Sequence, residues 1–241
     1  MKKLIQLFLC STVLFSMFGC SKPKIDEQAI DRIIPAVQKF AEVDSFDYEL
    51  GFEAPLTNGK LYGSCILDEL QLSLFLDLTS NGMKSEKFAE VYIVDQTAYM
   101  NALGQKQKQK LEWGNMPSFS FDPETVGFDK EMFKENLKAA SIEGETLHFE
   151  LKDEIVQDAS AKGDINFKEI GIDEVNNMII DVELANDFFK SLTLTFEGLS
   201  NGEKVTVSAY LKLDSINEKK TLEFPKDLDT WPLAKSNNSG N

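Results

Sequence analysis

Hydrophobic and polar residues alternate over most of the chain that follows residue 45. Between Phe46 and Ala54 every second residue is apolar, and five leucines at alternate positions from Leu70 to Leu78 share one side. A period of two predicts β-strands with one buried and one solvated face. The pattern predicts strands at 46–54, 61–67, 70–79, 88–94, 97–102, 145–152, 192–196, 205–211 and, ending at Pro225, 221–224. The stretch 174–186 fits a helical pattern as well, and we interpret it as a strand.

Short polar segments between these runs predict hairpin turns. They are Thr57-Asn58-Gly59, Ser80-Asn81-Gly82, Asp95-Gln96 and Ser200-Asn201-Gly202. Apolar residues at spacings of three and four predict an amphipathic helix over 26–43, which Pro35 should kink or split, and a second helix over 129–140. Many strands joined by hairpins form an antiparallel sheet, and a sheet this wide should curl around a filler such as the first helix.

The N-terminus carries the pattern of an export signal. Lys2 and Lys3 precede an apolar run from Leu4 to Phe18, which is shorter than the roughly 20 residues of a spanning helix. The run ends in Met17-Phe18-Gly19-Cys20, which resembles the lipobox of bacterial lipoproteins. That resemblance implies a signal peptide at 1–19 and a diacylated Cys20, with 20–25 as a short tether. The expected location is the extracytoplasmic face of the cell membrane, held by lipid.

Composition narrows the classes of function. Forty acidic residues against 25 basic ones give a formal net charge of −15, which disfavours nucleic acid as a partner. With one histidine and none of the common catalytic motifs, the chain is not expected to be an enzyme or to hold a metal or a cofactor. Asp164-Ile165-Asn166 opens like a calcium loop, but Lys168 and Glu169 stand where a ligand and a glycine are needed.

Three features that could take part in catalysis or binding also have purely structural interpretations. Cys65 has no disulfide partner if Cys20 is lipidated, and its strand context predicts a buried, inert thiol. His148 alternates with apolar neighbours, so it is predicted on the wetter face of its strand. The lysines between Gln105 and Lys110 could contact anionic headgroups or wall polymers, or could form a solvated edge that deters strand addition.

Four local patterns resemble the LolA/LppX-like superfamily of bacterial lipoproteins. They are Phe46-Asp47-Tyr48-Glu49-Leu50, the run 91–101 followed by Trp113, Phe121-Asp122-Pro123-Glu124, and the closing strand that ends in Phe224-Pro225. The resemblance implies an α+β, mainly β fold, in which a curved antiparallel sheet or half-barrel carries an N-terminal helix and one or two short helices on its concave side. We take 26–232 as a single domain of this kind and 233–241 as a flexible tail.

Members of that superfamily carry lipids, lipidated proteins or hydrophobic ligands, so the resemblance implies an apolar cargo site. The candidate ligand-binding residues are Phe40, Phe46, Tyr48, Phe52, Phe121 and Phe133. The phenylalanines in the middle of the chain have a second interpretation, in which they seat a helix on the sheet. The expected function is binding or carrying a lipid or other apolar ligand. The alternative is an envelope interaction or scaffold lipoprotein with a packed core, no ligand and an unknown protein partner.

Overall fold

The computed structural model describes residues 24–40, 42–55, 57–80, 82–111, 130–162, 172–186, 188–219 and 221–234. Its strands are β1 (Ser45–Glu53), β2 (Thr57–Ile66), β3 (Gln71–Ser80), β4 (Met83–Val94), β5 (Thr97–Ala102), β6 (Gln105–Lys110), β7 (Leu137–Glu143), β8 (Thr146–Leu151), β9 (Glu174–Ala185), β10 (Phe188–Ser200) and β11 (Glu203–Asp214). They form one antiparallel sheet in the order β6-β5-β4-β3-β2-β1-β11-β10-β9-β8-β7. The sheet is curved and unclosed, with β6 and β7 at its edges, which confirms the predicted half-barrel.

Three α-helices accompany the sheet in the described ranges: α1 (Glu27–Phe40), α2 (Lys130–Asn136) and α3 (Asp153–Lys162). The apolar side of α1 covers one end of the sheet, because Ala29, Ile30, Ile33 and Ala36 recur every three or four residues. These side chains are buried against Phe149 of β8 and its neighbours. We call the sheet face that carries Phe149 the helix face.

Most of the predicted elements are confirmed. The stretch 174–186 is strand β9, and the hairpins at 80–83, 94–97 and 200–203 have the left-handed turn residues that such tight turns require. The first helix is not split at Pro35, and it ends at Phe40 instead of residue 43. Pro35 lies on the exposed side of α1, where water can satisfy the carbonyl that its ring leaves unbonded.

The predicted turn at Thr57-Asn58-Gly59 is wrong, because all three residues belong to β2. The turn lies just before them, where Ala54 N donates to Thr57 O over 3.1 Å and Thr57 N donates back to Ala54 O over 3.3 Å. Inside the strand, Gly59 leaves room for the ring of Phe52 in β1, which lies where a Cβ would stand.

The predicted helix over 129–140 is also wrong in its second half. Helix α2 stops at Asn136, and Leu137 begins β7. Leu137 and Ala140 pair with Leu151 and Phe149 of β8, and both Leu137 and Ala140 are buried. Pairing in the sheet therefore outweighs the helical spacing of this stretch.

The predicted closing strand at 221–224 is not a strand. Residues 222–234, which we call the strap, instead cross the face of the sheet opposite the helix face, which we call the strap face. Phe224, Leu228 and Trp231 of the strap pack on Phe75, Tyr92 and Tyr99. Side-chain packing thus holds this segment in place of ladder hydrogen bonds.

Both edges of the sheet pair with terminal segments of the chain. At β6, Lys108 N donates to Pro232 O over 2.7 Å, and Ala234 N donates to Lys108 O over 2.8 Å. The predicted flexible tail therefore begins too early, since Leu233 and Ala234 are part of this pairing. At β7, Ile25 forms a bridge with Ala140, and both bridges are parallel. Such pairing shields edge groups that could otherwise add a foreign strand.

Candidate functional site

An apolar surface runs across nearly the whole helix face of the sheet. Paired residues of an antiparallel sheet share a face, so the registers trace this surface from strand to strand. Among the described paired positions of β1–β5 and β8–β11, this face carries a single charged residue, Glu203, which pairs with Ser200 beside the turn between β10 and β11. The surface includes Leu50, Leu61, Leu72, Leu74, Leu76, Val91, Ile93, Met100, Leu194 and Leu211.

Burial of this surface falls from one side of the sheet to the other. Under α1, the side chains of Leu147, Phe149 and Val182 are fully buried. On β1–β5, by contrast, most of the apolar residues are only half-buried. Leu50 and Phe52 in β1 are 47% and 38% exposed. Half of the helix face is therefore packed core, and the other half offers apolar area to a further contact.

Three of the predicted ligand-binding residues lie on the helix face. Phe46, Tyr48 and Phe52 alternate along β1 and face the same way as Leu50. Phe133 instead packs in the core under α1, with its ring centroid 5.2 Å from that of Phe149. Its position agrees with the alternative that this phenylalanine seats a helix on the sheet.

Two predicted residues cannot be placed on either face. Phe121 lies outside the described residues, and so do Phe119 and Phe128. The backbone of Phe40 ends α1, but its side chain is not among those the structure describes. Cys20 and the calcium-like segment that begins at Asp164 also lie outside the described ranges.

Aromatic side chains of β1 cross glycines of β2 on the helix face. Tyr48 pairs with Gly63, and its hydroxyl donates to Ser73 O of β3 over 3.1 Å, so its ring spans β2 at that glycine. Phe52 lies over Gly59 in the same way. Burial raises the pKa of Tyr48 far above its usual value, so the hydroxyl remains a donor.

The leucines that dominate this surface were not among the candidate residues drawn from the sequence. The signal was nonetheless present, since the five leucines at alternate positions from Leu70 to Leu78 form the longest single-residue alternation of the chain. Their partners in β2 and β4 depend on register, which a sequence pattern does not reveal.

Cys65 confirms the prediction of a buried thiol. Its side chain is 6% exposed, and it lies on the helix face beside Phe46 and Leu72. Burial raises the pKa of the Cys65 thiol to about 11, so it is protonated at neutral pH. A protonated, buried thiol is a packing group rather than a nucleophile.

His148 lies on the strap face, as predicted from its alternation. Its ring is half-buried between two carboxylates, with Nδ1 against Asp181 Oδ1 and Nε2 3.5 Å from Glu143 Oε2. Asp181 is its direct cross-strand partner in β9. Within the ranges the structure covers, no group of three or more His, Cys, Asp or Glu side chains is arranged to hold a metal ion.

The lysines of β6 hold the strap. Lys106 Nζ donates to Asp227 Oδ2 over 2.7 Å and lies 4.9 Å from the centroid of the Trp231 ring. This contact lowers the pKa of the Asp227 carboxyl. Lys108 Nζ donates to Asp229 O over 2.7 Å. β6 is an edge strand, as the second interpretation of this segment expected, and its lysines also fasten the chain's own C-terminal segment.

Grooves elsewhere in the described structure are polar. One of about 420 Å³ lies between α3 and the start of β9 and is lined by Asp153, Gln157 and Asp173, among others. Another of about 210 Å³, lined in part by Lys60 and Asp77, opens on β1–β3. Because their polar groups would lose water without compensation, neither suits an apolar ligand. No helix among the described residues is long and apolar enough to cross a membrane.

Fold and surface together define an open, curved antiparallel sheet whose apolar helix face is only partly covered. Two solved structures are similar to it over most of the chain. Lipoprotein LppX of Mycobacterium tuberculosis matches with a TM-score of 0.42 and 9% identity, over 82% of this chain and 100% of that one. LprF of Mycobacterium bovis matches with a TM-score of 0.43 and 9% identity, over 85% and 99%.

A porin-like protein of Bacteroides uniformis matches more loosely, with a TM-score of 0.25 and 8% identity over 73% of this chain and 97% of that one. The chain matches no family model and no curated protein. At these levels of identity the comparison concerns the fold alone.

Proposed function

We propose that this protein is a membrane-tethered, extracytoplasmic lipoprotein that binds a lipid or another apolar ligand on the open part of its helix face, without catalysing a reaction. One observation carries the proposal. A surface of aliphatic and aromatic side chains is packed under α1 but half-buried on β1–β5, where none of its paired positions is charged. Exposed apolar area of this extent on a soluble domain usually marks an interaction site.

The ligand chemistry follows from the lining. The aliphatic and aromatic side chains of the open surface can contact an apolar ligand and remove its surface from water. The polar groups of this surface are few and already hydrogen-bonded, such as the Tyr48 hydroxyl, which donates to Ser73 O. Each methylene moved from water onto such a surface contributes about 0.8 kcal/mol. An acyl chain that buries about eight methylenes would thus gain roughly 6 kcal/mol before the entropy of association is subtracted.

Native mass spectrometry of the protein, isolated without its leader, tests this proposal. We expect co-purified lipid, and we expect the double variant Leu50→Gln, Phe52→Gln to retain at least fivefold less of it. Both side chains are substantially exposed, so the variant should fold. The matched control is Met132→Gln in α2, which changes a residue that is 55% exposed outside the surface. A clean apoprotein, together with crosslinked protein partners, would favour the scaffold alternative.

The anchor is tested by Cys20→Ser. We expect this variant to lose incorporation of radiolabelled palmitate and to move from the membrane fraction to the soluble fraction, because two acyl chains on Cys20 are proposed as the only stable attachment. Cys65→Ser serves as the control and should leave both measurements unchanged. Unchanged membrane fractionation of Cys20→Ser would refute lipid anchoring at that residue, whatever the outcome for the ligand.

A further inference from the structure

The strap covers the reverse side of strands that carry the open surface. It packs on Phe75 of β3, Tyr92 of β4 and Tyr99 of β5, and both tyrosines are buried there. Neighbouring residues of a strand point to opposite faces, so each of these rings is flanked by residues of the open surface. Tyr92, for example, lies between Val91 and Ile93 of the helix face. The strap and the open surface therefore occupy the two faces of the same three strands.

The two halves of the sheet are covered on opposite faces. α1 packs on the helix face of β7–β10, and the strap face of β9–β11 is mostly polar, with Glu183, Thr193 and Ser208 among its residues. On β3–β5 the strap provides the apolar packing on one face, while the other face is only partly buried. Because a sheet needs a second packed layer for stability, the arrangement of β3–β5 depends on the strap.

Trp231 is the side chain through which the strap contacts two of these strands at once. It is 3% exposed, and the centroid of its ring lies 6.2 Å from that of Tyr92 and 6.0 Å from that of Tyr99, edge to face in both cases. Near the start of the strap, Leu222 N donates to Gln71 Oε1 of β3 over 3.4 Å. The strap thus joins β3, β4 and β5 from behind.

We infer that Trp231 is a positioning residue for the open surface, which it holds in its binding arrangement from the opposite face of the sheet. The inference rests on the proposed function. Two contacts that require the same arrangement of the same strands strengthen each other, and such coupling is reciprocal. Loosening the strap therefore weakens ligand binding, and ligand binding tightens the strap. The apparent affinity falls with the fraction of molecules in which the surface keeps its arrangement.

Binding of an uncharged apolar dye, N-phenyl-1-naphthylamine, tests the first direction of this coupling. The protein would be isolated without its leader and stripped of co-purified lipid. We expect Trp231→Ala to bind the dye at least about fivefold more weakly than the unchanged chain, and Trp231→Phe, which keeps an aromatic ring, to stay within about twofold of it. The matched control is Leu147→Ala, which removes a fully buried side chain beneath α1, away from the strap. It should destabilise the protein and leave dye binding within about twofold.

A surface variant keeps the test valid if Trp231→Ala does not fold. Lys106→Ala with Asp227→Ala removes an exposed ion pair of 2.7 Å, in which Asp227 Oδ2 also accepts from Trp231 Nε1 over 3.3 Å. This variant should fold and bind the dye at least about twofold more weakly. Lys84→Ala with Glu86→Ala removes an equally short, exposed pair on β4, apart from the strap, and should leave binding unchanged.

Hydrogen exchange on the unchanged protein tests the reverse direction. Trp231 N donates to Leu228 O over 3.0 Å, and saturating dye should slow exchange of this amide at least about threefold. The amide of Ile155 is the internal control, because it makes a similar bond of 3.0 Å to Lys152 O beside α3 and should not respond.

The outcomes separate the inference from the proposed function. Unchanged dye binding in Trp231→Ala and in the surface variant, or equal exchange of the Trp231 amide with and without dye, overturns the inference and leaves the proposed function standing. A protein that binds no dye and carries no lipid refutes the proposed function, and the inference falls with it.

Discussion

Phe149→Ala is expected to lower the free energy of unfolding by about 3–5 kcal/mol, the range found for large-to-small changes in a packed core. Phe149 is fully buried on β8, beneath α1. Its ring meets Phe133 of α2 edge to face, so its removal would loosen both α1 and α2 from the sheet. Urea unfolding followed by circular dichroism would measure the loss.

The same substitution elsewhere on the helix face provides the control. Phe52→Ala removes an equal side chain from a site that is 38% exposed, so the expected loss is about 1 kcal/mol. This variant should instead retain less lipid. If Phe52→Ala and Phe149→Ala destabilised the protein equally, the distinction between the packed and the open half of the helix face would be wrong.

The sequence predicted the strands well because the sheet has one apolar and one polar face. Leu72, Leu74 and Leu76 alternate without interruption, and their strand appears within a residue of its predicted limits. The prediction that Phe46, Tyr48 and Phe52 lie on one face of a strand is confirmed for the same reason. A period of two reports which residues share a face, and that holds whatever the strand pairs with.

The errors arose where long-range contacts decide local structure. Leu137 and Ala140 fit a helix by spacing, but their pairing with β8 makes them a strand. The segment 221–224 fits a short strand that ends at Pro225, yet it leads into the strap, which is held by the rings of Tyr92 and Tyr99 on a distant part of the chain. Neither partner can be identified from local periodicity, so neither placement could be predicted.

The sequence pattern could not predict which half of the helix face is buried and which half is exposed. Leu50 and Leu147 occupy similar alternating positions, but α1 covers Leu147 and leaves Leu50 exposed. Which half of a sheet a helix covers depends on strand order, and here β1 lies at the centre while β7 and β8 lie at the far edge. Topology therefore determines which of several similar apolar residues form the candidate site.

Gly63→Ala is expected to destabilise the protein by about 3 kcal/mol or more, at the upper end of the range for overpacking. A Cβ at residue 63 would lie 1.8 Å from Ser73 O and 2.7 Å from Ser73 C, which are backbone atoms of the neighbouring strand. β3 could yield only by breaking its pairing with β2. The same carbonyl accepts the Tyr48 hydroxyl, so that hydrogen bond would be lost with it.

Gly59→Ala separates this clash from the general effect of adding a side chain to a strand glycine. Its Cβ would meet Phe52 Cε1, which belongs to a half-exposed ring that can turn away. We expect a loss below about 1 kcal/mol, because strand interiors favour alanine slightly over glycine and only a side chain must move. Equal losses in the two variants, measured by urea unfolding, would show that the close approach of β2 and β3 at Gly63 is not what requires glycine there.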